Sequence, residues 1–182
     1  MLDRQASERL LRPQAIVFSD TADFTIRVAT DGILHFLMVF GRLVRGAEPV
    51  IRRAGGDLVK VEADSLLLRF KTVPAACRGV TALERHLARA NRGLPPSEQL
   101  RFSYGIGYGE VLVTDHDVFG LEVNLASKLG EDLAEPGDIL LTPAAAAAAG
   151  PLARRLVPRG RVRFGPQVLK VQRLRAASGQ ND

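Results

Sequence analysis

The chain has 182 residues, of which 46% are hydrophobic and 25% charged, which predicts one soluble α/β domain and leaves no room for a second. No apolar run approaches the roughly 20 residues that a membrane span needs, and the polar N-terminus lacks a secretory signal core. A cytoplasmic protein is expected, with an N-terminal extension (residues 1–13), one domain (14–175) and a flexible C-terminal tail (176–182).

The first half of the chain predicts a strand, a long helix and a hairpin. Residues 15–18 form an apolar run typical of a buried strand, and apolar residues at helical spacing follow over residues 25–53, with a break expected near Gly46. The pair Gly55-Gly56 ends this helix. The stretch LVKVEADSLLLRF then predicts two strands joined by a turn at residues 62–64.

The second half predicts a glycine-rich strand between two helices. The helices are expected over residues 74–91 and 119–134, and Cys77 in the first of them is expected to be a small core residue. Residues 100–114 contain the run GIGYG, which predicts a strand whose backbone another element approaches closely. The shorter elements expected near the C-terminus are the strand DILLTP, an alanine-rich helix, and strands at residues 161–164 and 168–174.

This order of elements predicts an α/β fold of the α+β sandwich type, in which helices cover one sheet. A doubly wound nucleotide-binding fold is not expected, because neither a GxGxxG loop after the first strand nor a Gly-Lys-Ser/Thr phosphate loop is present.

Basic residues are concentrated near the C-terminus of a chain whose net charge is +5. Residues 154–175 include eight basic residues and no acidic one. Such a segment faces solvent, nucleotide phosphates or nucleic acid, and a solvated strand face is the preferred interpretation. Nucleic acid has the least support, because the chain has only eight Phe and two Tyr and no motif of a nucleic-acid-binding module.

Two aspartates lie where predicted strands end. Asp20 closes the first strand, and Asp64 lies in the hairpin turn. If these strands are neighbours, both carboxylates emerge at one edge of the sheet, where Mg²⁺ takes oxygen ligands from carboxylates and substrate phosphates. An isolated aspartate at such a position is more often a solvated turn acid or a helix cap, so the pair needs support from its surroundings.

Four stretches of sequence, in order, provide that support: FSDTADFT, GGDLVKVEADSLLLRF, YGIGYGEVLVTDHDVFGLEVNLASKL and EPGDILLTP. Over residues 15–142 they resemble the motifs of class III adenylate/guanylate cyclases. The resemblance implies a ferredoxin-like, palm-type mixed sheet covered by helices. It also implies a homodimeric phosphorus–oxygen lyase that converts ATP to 3′,5′-cyclic AMP and pyrophosphate at the subunit interface. Each element occurs once, so a monomer is expected to be inactive.

The resemblance assigns a metal site to the two aspartates. Asp20 and Asp64 are implied to hold two Mg²⁺ or Mn²⁺ ions, with the carbonyl of Thr21 as a further ligand. One ion would help to lower the pKa of the ribose 3′-hydroxyl, and the other would hold the triphosphate. Phe24 and Thr25, which complete the motif FSDTADFT, are implied to contact the substrate.

The resemblance also assigns residues to the purine, the ribose and the reacting phosphorus. Lys60 and Asp117 match a pair that donates to adenine N1 and accepts from its N6 amino group, which favours ATP over GTP. Asn124 matches the residue that orients the ribose. Lys128, on the same helical face, stands where the family usually has an arginine that stabilises the pentavalent phosphorus.

The sequence departs from the family pattern at three positions. Lys128 lacks the planar fork of arginine, which predicts a slower reaction. Asp23 replaces a glycine in a loop whose N–H groups should approach the triphosphate, and it would repel phosphate unless it turns toward solvent or a metal. Ala63 replaces the glycine before Asp64. A cyclase-like protein that binds a nucleotide or a partner without turnover is therefore the first alternative.

A diguanylate cyclase is the second alternative. The tripeptide GGD at residues 55–57 resembles its signature, but Leu58-Val59 follows where Glu-Phe is expected. No regulatory input is visible in the sequence, so a separate regulatory protein is an expected partner.

Overall fold

The computed structural model describes residues 11–175, which contain eight strands and five α-helices. The strands are β1 (Leu11–Thr21), β2 (Gly56–Glu62), β3 (Ser65–Phe70), β4 (Phe102–Val113), β5 (Val118–Phe119), β6 (Ile139–Leu141), β7 (Leu156–Phe164) and β8 (Gln167–Leu174). The helices are α1 (Phe24–Asp31), α2 (Ile33–Arg53), α3 (Val73–Ala90), α4 (Leu121–Lys128) and α5 (Pro143–Ala147). The expected alternation of strands and helices is confirmed.

All the strands belong to one mixed sheet in the order β2-β3-β1-β4-β6-β8-β7, with the short β5 paired to β4. Only the β4–β6 pair is parallel among the described strands. Alternate residues such as Val17 and Leu68 point to one face, where they form the main core with α2 and α3. Ile16 and Leu67 point to the opposite face and pack with Ala126 of α4. We call this second face the α4 face.

Helix α4 lies close to β4 because the strand presents glycines to it. A Cβ atom on Gly105 would lie 1.9 Å from the carbonyl oxygen of Ala126, and one on Gly107 would lie 2.3 Å from that of Glu122. Any side chain at these positions would push the helix away from the strand. The close approach predicted from the glycine run is confirmed.

Two helix predictions are wrong in detail. The long helix is interrupted at Gly32, whose φ of 84° separates α1 from α2, whereas Gly46 lies inside α2. A Cβ atom on Gly46 would lie 2.7 Å from Nε2 of His86, so this glycine lets α2 and α3 pack closely instead of ending a helix. The helix predicted over residues 119–134 is shorter, since α4 ends at Lys128 and a π-helical turn, Leu129–Leu133, follows.

The remaining elements overlap the predicted ones, although β7 begins at Leu156, five residues before the strand predicted at residues 161–164. The hairpin turn falls between Glu62 and Ser65, and Cys77 is buried in α3, as predicted. β1 is longer than the predicted strand because it pairs with β4 along its whole length, from Leu11 to Thr21. Residues 1–10 of the proposed extension and the proposed tail lie outside the described residues. Within residues 11–175, no helix combines the length and the apolar character that membrane crossing requires.

Candidate active site

The ends of β1 and the β2–β3 hairpin bring Asp20 and Asp64 together. Ser19 of β1 pairs with Leu66 of β3, so the last residues of β1 lie beside the hairpin turn. The hydroxyl of Thr21 donates to the carbonyl oxygen of Asp64 at 2.7 Å, and Ser65 donates to Asp20 Oδ1 at 3.4 Å. The two acids that the sequence predicted to be neighbours are therefore tied to the same corner of the sheet.

Both carboxyl groups carry raised pKa values. Burial, followed by repulsion from Asp64 and Glu131, raises the pKa of Asp20 to about 6. Burial also raises the pKa of Asp64 above its ordinary value. Among the described residues, no lysine or arginine forms an ion pair with either acid. The corner therefore has unneutralised negative charge at neutral pH.

These residues fit the divalent cations that the resemblance implies. Mg²⁺ takes hard oxygen donors, and it often uses only one or two carboxylates because waters and substrate phosphates complete its shell. Asp20 and Asp64 provide such donors, and burial, joined at Asp20 by repulsion from Asp64 and Glu131, raises their pKa values, so a bound cation would stabilise both charged carboxylates. Within residues 11–175, no group of three or more metal-binding side chains is arranged to hold an ion without such help.

Lys60 and Asp117 meet on the α4 face. A β-bulge between Leu58 and Lys60 turns the lysine toward the face of Leu67, with which it pairs. Lys60 Nζ lies 2.9 Å from Asp117 Oδ2 and 3.0 Å from Glu62 Oε2. These contacts raise the pKa of Lys60, and the hydrogen bond from Lys60 lowers that of Asp117, so both groups are charged at neutral pH.

The loop before β5 fixes the position of Asp117. Thr114 Oγ1 accepts from the backbone N–H of Asp117 at 3.0 Å, and Asp117 Oδ1 accepts from that of Val118 at 2.8 Å. One carboxylate oxygen is thus held by the backbone while the other faces Lys60. His116 is exposed in the same turn.

Asn124 and Lys128 lie one turn apart on α4. Asn124 is exposed, and Lys128 Nζ forms an ion pair with Asp132 Oδ2 at 2.6 Å. Asp132 lies in the π-helical turn, so this turn positions the acid with which Lys128 pairs.

The residues after Asp20 have two different surroundings. Asp23 has a left-handed backbone, with φ of 64°, which accounts for a preference for glycine at this position. Its carboxylate forms an ion pair with Arg101 at 3.0 Å, so its charge is directed to an arginine. The ring of Phe24 packs on that of Phe36, with 4.9 Å between centroids, so the side chain is not available to the substrate. The backbone N–H groups of Phe24 and Thr25 lie in the first turn of α1, and such groups are suited to bind an anion.

Sequence reasoning missed two residues at the site. Glu131 repels Asp20, and burial raises its own pKa. Its spacing from Asn124 and Lys128, at i+7 and i+3, could have placed it on their helical face. Arg101 had no such signal, because its contact with Asp23 joins residues 78 apart in the chain.

Comparison with known sequences gives one curated relative. "Putative adenylate cyclase 3" from Rhizobium meliloti (strain 1021) is 28% identical over 131 residues, which cover 72% of this chain and 22% of that protein. The chain thus matches only about a fifth of its curated relative's length. No protein-family model matches the sequence.

Comparison with solved structures gives matches that cover more of this chain. The adenylate/guanylate cyclase/hydrolase from Silicibacter pomeroyi superposes with a TM-score of 0.73 and 26% identity, covering 92% of this chain and 99% of that one. The adenylyl cyclase CyaB from P. aeruginosa gives a TM-score of 0.76 at 18% identity, with 92% and 95% coverage. The fold inferred from the sequence resemblance is confirmed.

Proposed function

Because the chain is a divergent relative of nucleotide cyclase catalytic domains, we propose that it converts ATP to 3′,5′-cyclic AMP and pyrophosphate as a metal-dependent homodimer. The observation that carries the proposal is the ion pair of Lys60 with Asp117, 2.9 Å apart, in a chain of this fold that also gathers two unneutralised acids at the end of β1. If Lys60 and Asp117 served only to stabilise the fold, there would be no reason for Asp20 and Asp64 to lie unneutralised at the end of β1.

Asp20, Asp64 and the Thr21 carbonyl would hold the divalent cations, whose chemistry is to neutralise the triphosphate and to lower the pKa of the ribose 3′-hydroxyl. The free N–H groups of Phe24 and Thr25 would donate to phosphate oxygens. Asp23 does not oppose this arrangement, because its carboxylate is directed to Arg101.

Lys60 and Asp117 would select adenine. The ammonium has three donors, so it can donate to N1 while it keeps one contact with Asp117. The carboxylate, held ionised by Lys60, would accept from the N6 amino group. Guanine presents a carbonyl and an N1–H at these positions, so the same pair would leave both of its groups mismatched.

Asn124 and Lys128 would complete the reaction from α4. Asn124 is exposed and could orient the ribose. The ammonium of Lys128 would stabilise the negative charge on the oxygens of the pentavalent phosphorus as the 3′-oxygen attacks and pyrophosphate leaves. Lys128 would have to exchange Asp132 for phosphate, which favours a low rate.

A second copy of the chain would bring the two halves of each site together. In support, α1 and the start of α2 expose a group of large apolar side chains: Ile26, Ile33, Leu34, Leu37 and Met38. Leu34 is 76% exposed and Ile26 is 66% exposed, and an apolar patch of this kind is typical of an interaction surface.

The test is incubation of the purified protein with Mn²⁺ and ATP or GTP, with chromatographic detection of the cyclic product. We expect cyclic AMP from the unchanged protein and none from Asp64→Ala. Asp57→Ala is the matched control, because Asp57 is an exposed acid of the same hairpin that pairs with Arg69, and it should retain activity. No product above the Asp64→Ala background would exclude catalysis.

The second candidate function is nucleotide binding without turnover, and the Lys128–Asp132 ion pair at 2.6 Å favours it. Calorimetry with a non-hydrolysable ATP analogue distinguishes the two. Binding that requires Lys60, together with absent product, would establish this alternative.

A further inference from the structure

A basic groove lies between α3 and the C-terminal strands, on the side of the sheet opposite the α4 face. Two cavities of about 330 and 250 Å³ adjoin there and share four lining residues. These are Thr81, Arg85, Arg155 and Leu174. Leu174 and Ile139 at the base belong to the main core, which places the groove away from the proposed nucleotide site.

Arginines dominate the lining of this groove. Arg78 and Arg85 project from one face of α3, and Arg155 and Arg175 come from the segment before β7 and the end of β8. We call these four residues the arginine groove. None of them takes part in an ion pair within residues 11–175, so their charge is not neutralised by the described chain.

The one acid in the lining is already engaged. Glu84 Oε1 accepts from the hydroxyl of Tyr104 at 2.6 Å, and burial raises the pKa of this carboxyl. Its hydrogen bond is directed to Tyr104, which is fully buried in the main core, and Glu84 forms no ion pair with an arginine within residues 11–175. The groove therefore has a large excess of positive charge.

The backbone holds one wall of the groove in place. The guanidinium of Arg155 donates to the carbonyl oxygen of Arg175 at 2.6 Å, and the N–H of Arg175 donates to the carbonyl oxygen of Arg155 at 2.9 Å. A guanidinium has five donors, so most of those on Arg155 remain for a ligand. The basic segment at residues 154–175 is thus only partly a solvated strand face, because Arg159 and Arg173 also pair with the buried Asp138.

We propose that the arginine groove binds a small anion that carries several phosphate groups. Guanidinium groups bind phosphate oxygens bidentately, and several around one cavity match a polyphosphate better than a single charge. The cavity volumes suit a small molecule, and no aromatic side chain lines them on which a nucleic-acid base could stack.

The test is calorimetry with inorganic triphosphate in EDTA, where the proposed catalytic site lacks its cations. We expect the unchanged protein to bind one triphosphate, and Arg78→Gln/Arg85→Gln to bind it at least tenfold more weakly. Both arginines are exposed, so the double variant should keep the melting temperature of the unchanged protein. Arg89→Gln is the matched control, because Arg89 is an exposed arginine of the same helix outside the groove, and it should bind normally.

Three outcomes would overturn the proposal: no binding by the unchanged protein, equal weakening in Arg89→Gln, or equal weakening in Lys60→Gln/Lys128→Gln. Equal weakening in Lys60→Gln/Lys128→Gln would show that the triphosphate binds at the nucleotide site instead. A parallel titration with ATP in EDTA separates the sources, since tighter binding of ATP indicates a nucleotide and equal affinity indicates a free polyphosphate. Neither measurement depends on cyclase activity.

Discussion

The sheet contains two buried acidic positions that the chain treats in opposite ways. Asp138, at the start of β6, is 7% exposed and lies 3.2 Å from Arg173 and 3.4 Å from Arg159. Asp64, at 8% exposed, and its neighbour Asp20 form no ion pair with a lysine or arginine among the described residues. An acid that its own chain neutralises supports the fold, whereas an acid pair left unneutralised is suited to a cation from solution.

The largest effect should come from removing the neutralised acid. Asp138→Ala removes the partner of Arg173 and one of the two partners of Arg159, and we expect the free energy of unfolding to fall by about 2 kcal/mol. Urea denaturation measures this change. Glu135→Ala is the control, because this exposed partner of Arg159 should contribute less than about 1 kcal/mol. Equal losses in the two variants would show that burial does not distinguish the acids.

Removing an acid from the unneutralised pair should have the opposite sign. We expect Asp20→Asn to stabilise the metal-free protein at pH 7.5 by about 1 kcal/mol, after allowing for solvent screening. The folded pKa of Asp20 is raised from 3.8 to about 6, so its proton is held more tightly in the folded state. The contribution of the protonated Asp20 carboxyl to the stability of the unchanged protein is therefore complete below about pH 4 and is lost as the pH rises through 6, which is where the advantage of Asp20→Asn appears.

Thermal unfolding in EDTA at pH 4 and 7.5 measures this difference. The stabilisation by Asp20→Asn should vanish at pH 4. At pH 7.5, Mn²⁺ added in place of EDTA should raise the melting temperature of the unchanged protein but not that of the variant. A destabilised variant at pH 7.5 would contradict the view that the charged, partly buried carboxylate of Asp20 lowers the stability of the metal-free protein.

The comparison extends to a cation with an exposed partner. Lys128→Arg should raise the turnover rate of the proposed reaction by about fivefold, because a guanidinium grips phosphoryl oxygens at two points. Initial rates at saturating ATP measure the change. Lys71→Arg, at an exposed lysine outside both the nucleotide site and the arginine groove, serves as the control. An unchanged or lower rate in Lys128→Arg would count against a transition-state role for this residue.

The smallest effect should come from the turn that holds Asp64. Ala63 has φ of 51°, a conformation that costs an L-residue about 1 kcal/mol, so Ala63→Gly should stabilise the protein by about 0.5 kcal/mol. Ala22→Gly, at a position without positive φ, should destabilise it. Denaturant midpoints that move in the same direction for both variants would contradict the backbone explanation.

What the sequence predicted depends on the range of the interactions involved. The pairing of Asp20 with Asp64 could be foreseen because strand ends and a hairpin turn are local features, and the motifs placed Lys60 near Asp117. The helix break was misplaced to Gly46 because the alternative role of this glycine is a contact with His86, 40 residues away. The orientation of Asp23 depends on Arg101, and no local pattern contains that contact.

The glycines that β4 presents to α4 limit how the position of this helix can change during evolution. Where side chains separate a helix from a sheet, evolution can shift the helix gradually by exchanging one side chain for another. Here the backbone of β4 touches the backbone of α4 at Gly105 and Gly107, so there is nothing to exchange. The distance between β4 and α4, the helix that contains Asn124 and Lys128, is therefore set by direct contact of their backbones. Substitutions that reposition Asn124 and Lys128 are therefore expected at the ends of α4, where this chain has its π-helical turn.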